Sequence, residues 1–587
     1  MAGATARETG MTRRSLVRAA ALAAAGWWGV ASAFADEAAD IVLVNGRVIT
    51  MDAEDRVVEA LAIREGRITA AGDSAGIRNL IGNDTRVVDL DGRSAVPGFI
   101  ESHTHALGVA RSELTQPWVE LNSVAEIQDW VRRRATELPE GRWIAVPRVD
   151  ITRLAERRHP TPAELDAACT THPVYVNAAR KTVLNSLGFE TVGVTRDNLE
   201  IPGGKVIVNE NGDPWLISGD SHVRAMLPRP ELSDDEVTAA LRKVHAVYNS
   251  VGITSIFERA GRRADWDLYG ELKSAGQLTV RTRMAIRQQF RSGEEVAPFT
   301  EKLGLVTGDG DDWLRVGPLK ITVDGGIHWG NTRLSEPYGE RRIAFYTLDD
   351  PDYRGDQRYS VDLMRDIFSE ATKRGWQCSC HVTGDAGVAA VLEAVAAADA
   401  IAPLRDRRFN LIHAYFPSHA WLDQAAELGV GVDTQEYLYY RDSDALARVY
   451  GESWAARFIG LADWMDHGVP VAINADHMNG IDPDHAMNSF NPLLMLWIAV
   501  TRKNDQGDVY GPQQKLSRLD ALRCVTTNAA WLSFDEDRLG SLAPGKLADV
   551  AVLDRDYLDC AEDEIRDIEI DLTIVDGNVV YERQPRD

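Results

Sequence analysis

His103 and His105 stand two residues apart in the run VPGFIESHTHA. In an extended chain, residues i and i+2 point the same way. Both imidazoles can therefore meet one metal ion, or both can be exposed loop histidines. Four more residues with metal-ligand or proton-transfer chemistry lie far down the chain: Lys320, His381, His413 and Asp476. Imidazole and carboxylate are suitable zinc ligands. Each residue alone has a plainer explanation. A buried histidine is usually a satisfied core residue, and a lysine among apolar neighbours can sit in an interior salt bridge. What decides is where the surrounding elements place the six.

Eight short apolar runs divide the middle of the chain. They are AVPGFI (95–100), ITSIFE (253–258), TVRTRMAI (279–286), LRVGPLKIT (314–322), WQCSCHVT (376–383), FNLIHA (409–414), GVGVDT (429–434) and VAINAD (471–476). Helical patterns separate most of them. SDDEVTAALRKVHAVYNS opens with Ser233 as an N-cap, and SVDLMRDIFSEATKRG (360–375) ends on a glycine. Strand–helix alternation repeated this often predicts a parallel sheet, and eight units predict an α/β (β/α)8 TIM barrel spanning 96–534. His103 and His105 then follow the first strand. Lys320, His381, His413 and Asp476 lie at or near the ends of strands four, five, six and eight. Six polar residues from five strands converge on the C-terminal rim, where barrel enzymes build their sites.

Residues of about 107–230 fit no such unit and read as an insertion after the first strand, with strands of its own (WIAVPRV, HPVYVNAA). Residues 36–95 and 535–587 alternate apolar and polar residues and are broken by Asn-Gly, Glu-Gly and Asp-Gly turns. They predict a small β-sandwich built from both termini. The first 35 residues contain TRRSLVRAAALAAAGWWGVASAFA, with Arg13 and Arg14 paired before an apolar stretch and Ala33-Phe34-Ala35 after it. This looks like a twin-arginine export signal cleaved after Ala35, which implies a periplasmic or secreted protein. An uncleaved membrane anchor is the other reading. Across the 587 residues, 64 Lys and Arg face 89 Asp and Glu, for a net charge of −25. That balance excludes a nucleic-acid partner, which needs clustered positive charge. Five cysteines are too few and too odd in number for a disulfide framework.

Taken together, VPGFIESHTHA, LKITVDGG, HVTGDAG, LIHA, the Asp476 motif and the late run LGSLAPGKLADVAVLD (539–554) resemble the amidohydrolase superfamily. The likeness is to its family 3, the YtcJ-like branch that includes N-substituted formamide deformylases. It runs from about residue 40 to the C-terminus. The resemblance implies carbamylation of Lys320 and two divalent ions, expected to be zinc, bridged by that carbamate. His103, His105 and Asp476 would hold one ion with the carbamate, and His381 and His413 the other. A hydroxide between the ions would attack, and Asp476 would take its proton and pass it to the leaving nitrogen. With a single ion, Lys320 is simply a charged barrel residue. The implied activity is hydrolysis of a C–N bond, amide, N-acyl or N-formyl, in a small molecule. A lactone or ester hydrolase with the same site, or a catalytically silent periplasmic binding protein, are the competing readings.

The chain departs from the family pattern in several places. Asp385 is followed by Ala386 and Gly387, where relatives commonly carry an arginine. Arg180 stands five residues before Asn185, where relatives often have histidine. Asn474-Ala475-Asp476 replaces the usual Gly-Ser-Asp, and His328 and Trp329 replace smaller residues. These changes leave the six candidate ligands intact and bear on the substrate. His328 and Trp329 are expected at the mouth. Arg180 is a candidate for a substrate carboxylate or for a structural ion pair. Gln435 and Glu436 are expected at the rim, and His477 and His485 in a surface loop. Cys378 and Cys380 form a CxC beside His381. The expected partners are the small-molecule substrate, the twin-arginine export machinery and, in a homodimer, a second copy of the chain.

Overall fold

Short runs of β-branched and apolar residues, closed by glycine or a helix cap, set the strand pattern. The computed structural model describes residues 38–584 except 179, 180 and 418. The export-signal segment and Arg180 lie outside the described residues. Eight strands form one parallel sheet: β1 (Phe99–Thr104), β2 (Ile253–Gly261), β3 (Arg281–Arg287), β4 (Leu314–Thr322), β5 (Cys378–Val382), β6 (Asn410–His413), β7 (Gly431–Thr434) and β8 (Val471–Ile473). Each pairs in parallel with the next in sequence. A parallel bridge from Thr104 to His477 draws β1 and β8 together, so the sheet is a nearly closed barrel. Parallel strands covered on both faces must be apolar in both directions. Accordingly every residue of β6, β7 and β8 is buried.

The first expected strand needs correction. Residues 95–100 are not one barrel strand. Ser94–Pro97 pairs with Val550–Leu553 near the C-terminus and with Arg47–Ile49 near the N-terminus, and the barrel strand begins at Phe99. Gly98 sits at the break, where a Cβ would lie 2.4 Å from the side chain of Thr254. The chain passes closely between two sheets there, and His103 consequently lies inside β1 rather than after it.

Three helices matter to the site: α1 (Ala106–Thr115), α2 (Asp234–Ser250) and α3 (Glu436–Tyr450). Ser233 caps α2 as expected. Its hydroxyl accepts from the Glu236 amide, while the Glu236 carboxylate accepts from the Ser233 amide. The helix Val361–Lys373 ends before Gly375, which has φ +83°.

The segment between β1 and α2 carries a five-stranded sheet in the spatial order Lys205–Val208, Pro214–Ser218, Lys181–Leu184, Val174–Ala178, Ile144–Val146. It has an apolar cluster of its own around Ile127, Val131, Val174 and Leu216. At the termini, four N-terminal strands make one sheet. A second, six-stranded sheet interleaves strands from both chain ends: Val550–Leu553 lies between Ser94–Pro97 and Ile570–Val575. Leu43 and Leu61 of the first sheet share one core cluster with Val550 and Ile574 of the second. Among the described residues, no helix is long and apolar enough to cross a membrane.

Candidate metal centre

β1 brings His103 to the rim, where it is 1% exposed, and His105 follows at the turn into α1. Asp476 comes from the opposite side of the seam, three residues past β8. His105 Nε2 lies 3.3 Å and His103 Nε2 3.4 Å from Asp476 Oδ1. Ligand atoms of these three residues all fall within 4.8 Å of one another. Lys320, buried in β4, places Nζ 3.3 Å from His103 Nε2. His381 of β5 and His413 of β6 bring Nδ1 and Nε2 to 2.7 Å apart, and the His103 and His413 rings are 5.4 Å apart. All six candidate ligands are thus gathered at one end of the barrel, as a group of three, an adjoining lysine and a histidine pair.

Hydrogen bonding bears on whether these residues fit a cation. His413 Nδ1 is 2.6 Å from the Gln435 amide oxygen, and His381 Nε2 is 2.7 Å from the Gly325 carbonyl. Those oxygens only accept, so each of these nitrogens carries the ring proton. Burial pushes the His413 pKa down to about 4 and that of His381 well below its ordinary value, which keeps both rings neutral. The remaining nitrogens, His381 Nδ1 and His413 Nε2, therefore face each other with lone pairs. Two lone pairs cannot hydrogen-bond, but both can ligate one cation. Asp476 Oδ1 is likewise buried with no hydrogen-bond partner. A buried, unsatisfied carboxylate oxygen is costly unless a cation meets it. The donor set fits a divalent metal.

The backbone at this rim is strained. His413 has φ +80°, Ala414 +41° and Asp476 +49°. Left-handed backbone is uncommon outside glycine and costs on the order of 1–3 kcal/mol per residue. Behind the ligands stands a layer of buried acids. Asp433 accepts from Ser102 Oγ at 2.6 Å and from Arg259 at 2.8 Å. Its Oδ2 lies 3.7 Å from His103 Nδ1, and Glu258 Oε1 lies 3.8 Å from His105 Nδ1. Both distances are beyond hydrogen-bond length. Glu101 accepts from the amides of His103 and Ala475, tying the two sides of the seam together.

The residues expected around the substrate divide. His328 and Trp329 line a narrow cavity together with His381, His413 and Asp476. Gln435 and Glu436 do not line the rim, because both are fully buried. Gln435 is held between His413 and the Asn474 side chain, 2.8 Å away. Glu436 turns into the core at the first position of α3, where neither oxygen has a hydrogen bond. His477 is not in a surface loop either. It is buried, with Nδ1 2.8 Å from the Tyr248 hydroxyl and Nε2 2.6 Å from the Gly480 carbonyl. His485 is exposed, as expected. Cys378 and Cys380 are buried free thiols, and burial pushes Cys378 up to about 12, far from a thiolate ligand.

Sequence reasoning missed a second polar cluster at the mouth. Arg148 and Asp150 line the cavity, and Asp442 and Arg153 stand behind it. Arg148 and Asp150 end the run WIAVPRVD, which reads only as a strand of the insertion. Asp442 is fully buried on α3, on the same face as Leu438, Tyr439 and Leu446. A carboxylate on the apolar face of a helical pattern was the available signal.

A parallel eight-stranded barrel with buried histidines and an aspartate at its C-terminal rim defines a class of metal-dependent hydrolases. Consistent with this, the model of the amidohydrolase family matches residues 86–581, and the chain belongs to that family. It is 26% identical to an N-substituted formamide deformylase of Arthrobacter pascens, over 93% of this chain and 98% of that one. It is 24% identical to a putative amidohydrolase, YtcJ, of Bacillus subtilis, over 92% and 99%. Among solved structures, a metal-dependent hydrolase from Pyrococcus horikoshii superposes with a TM-score of 0.66 at 22% identity, covering 89% of this chain and 99% of that one. A zinc complex of the atrazine chlorohydrolase TrzN from Arthrobacter aurescens superposes at 0.52 and 17%, covering 92% and 95%. At these identities the structures speak to fold alone.

Proposed function

We propose that the chain is a metal-dependent hydrolase cleaving the C–N bond of a small amide, of the N-acyl or N-formyl kind. The observation that carries this reading is the orphaned Asp476 Oδ1 within 3.4 Å of two imidazole nitrogens. The likeness to a formamide deformylase along nearly the whole of both chains supports the choice of bond. A divalent ion held there, zinc in this reading, supplies Lewis acidity, bringing the pKa of a water near neutrality and polarising a carbonyl.

The chain's own residues supply the rest. His103, His105 and Asp476 would hold one ion, and His381 and His413 a second. Gln435 and Gly325 fix the ring protons so that the correct nitrogens face inward. Asp476 accepts the proton of the attacking water on its carboxylate. Burial pulls the Lys320 ammonium down to about 7, leaving a share of free amine at neutral pH. That amine can add carbon dioxide, forming an N–C bond and releasing one proton. The resulting carbamate is an anion suited to bridging two cations. The twin-arginine sequence supports a periplasmic or secreted place of work.

Two measurements test the proposal. Metal analysis of the purified mature protein should find close to two divalent ions per chain, and Lys320→Ala should lower that number. An unchanged metal content in the variant would remove Lys320 from the site. A panel of formamides, N-acyl amines, esters and lactones should show amide turnover by the loaded enzyme. Turnover confined to esters or lactones would sink the C–N assignment.

A further inference from the structure

His328 projects from the one-turn helix that follows β4 and lines the same cavity as His381, His413 and Asp476. Its Nε2 is 2.8 Å from Asp442 Oδ2. Asp442 is fully buried, and its oxygens are occupied on every side. Thr152 Oγ1 donates to Oδ1 at 2.8 Å, and Arg153 donates to Oδ1 at 3.3 Å and to Oδ2 at 3.1 Å. Arg153 is anchored in turn by the Met487 carbonyl and the Asn488 side chain. Burial alone would raise the Asp442 pKa. The Arg153 charge and the hydrogen bonds from His328 and Arg153 outweigh it and hold the carboxyl well below the usual range. An ionised carboxylate only accepts, so His328 Nε2 must donate to it. That leaves His328 Nδ1 as the nitrogen available to the cavity.

We propose that His328 is a catalytic proton donor to the leaving nitrogen, with Asp442 its positioning residue. The proposal rests on the amide-hydrolase reading above. A histidine whose far nitrogen is fixed by a buried aspartate is the arrangement proton-transfer catalysis requires. Here it is assembled from three separate segments: the loop after β4, α3, and the insertion. The charged groups facing it are Asp442 from α3 and Arg148, Asp150 and Arg153 from the insertion. The assignment separates two proton transfers that the family resemblance gives to Asp476 alone. The attacking water loses its proton to Asp476 as the new C–O bond forms. The C–N bond then breaks, its electron pair staying on nitrogen, while His328 Nδ1 gives that nitrogen a proton. Solvent reprotonates His328 and takes the proton from Asp476. The net reaction consumes one water and yields one acid and one amine.

Leaving-group dependence distinguishes this from a structural role. A basic alkylamine needs the proton to depart, whereas 4-nitroaniline needs it far less. With N-formyl and N-acetyl derivatives of benzylamine and 4-nitroaniline as probes, His328→Gln should lower kcat/KM for the benzylamides about 100-fold, the usual scale of acid catalysis, and for the nitroanilides under about 5-fold. Asp442→Asn should show the same split, and both variants should keep the wild-type metal content. Equal losses on both leaving groups, or none, would overturn the assignment. Wild-type enzyme that cleaves neither class would instead overturn the amide reading beneath it. A second measurement needs no turnover. Ring nitrogen NMR of histidine-labelled, metal-loaded enzyme should show His328 Nε2 protonated, with that signal altered in Asp442→Asn. A neutral ring protonated on Nδ1 alone would overturn the proposal whatever the substrate.

Discussion

At the scale of single residues, the site is a matter of which atoms have no protein partner. Asp476 Oδ1 and the facing nitrogens of His381 and His413 are buried donor atoms that the protein itself does not satisfy. Asp476→Asn keeps the shape and removes the charge and the proton acceptor. It should lower kcat by roughly 10²–10⁴-fold while the circular dichroism spectrum stays native. Near wild-type kcat would end its assignment as the base. Gln435→Leu should act one step further out. Without the acceptor at Nδ1, His413 loses its fixed tautomer, and metal affinity should fall about 10–100-fold in a chelator competition. Affinity equal to wild type would mean that Gln435 only fills space. The six ligand candidates were legible in the sequence because histidine, lysine and aspartate are rare at strand ends of a buried sheet. Gln435 was mislocated because strand alternation does not say which neighbour of a strand end turns toward a ligand. The His328–Asp442 pair was only half visible, since its aspartate lies 114 residues away on another element.

At the scale of elements, seven of the eight barrel strands were readable from their apolar runs, and the α2 cap from Ser233 and Glu236. The start of the first strand was not. Gly98 looks like an ordinary turn glycine, and its role depends on Thr254, which only the fold brings near. Helix α3 carries the clearest pH signature. Glu436, its first residue, is fully buried without a hydrogen bond, and burial raises its pKa to about 7. The unfolded chain releases that proton near pH 4.3, so between there and 7 the folded state binds a proton the unfolded state lacks. Stability therefore falls as pH rises through this window, by roughly 4 kcal/mol in all. Glu436→Gln should flatten that decline and melt higher than wild type at pH 8. A variant that melts lower at pH 8 would show that the ionised carboxylate is held favourably, with Arg502 the charge nearest to hand.

At the scale of the whole molecule, the barrel and the terminal strands are tied by a buried ion pair. Arg281 of β3 is fully buried and donates to both oxygens of Asp549, at 2.8 and 2.9 Å, and to Asp576 at 3.0 Å. Removing one partner of such a pair leaves an uncompensated buried charge. Arg281→Leu should cost about 3–5 kcal/mol in urea unfolding. A single transition at lower urea would show that barrel and terminal strands unfold together, whereas two separated transitions would show that Arg281 was what coupled them.

The seam between β1 and β8 has a consequence for assembly. Thr104 and His477 are 373 residues apart in sequence, yet they form the bridge that brings the barrel edges together. His103 and His105 stand on one side of that join and Asp476 on the other. An ion shared by them would be a rivet through the joint that closes a very long loop of chain. Such a rivet cannot be set until the first and last strands have met. Metal content would then serve as a certificate of completed folding, which is the condition a chain must satisfy if it crosses a membrane already folded.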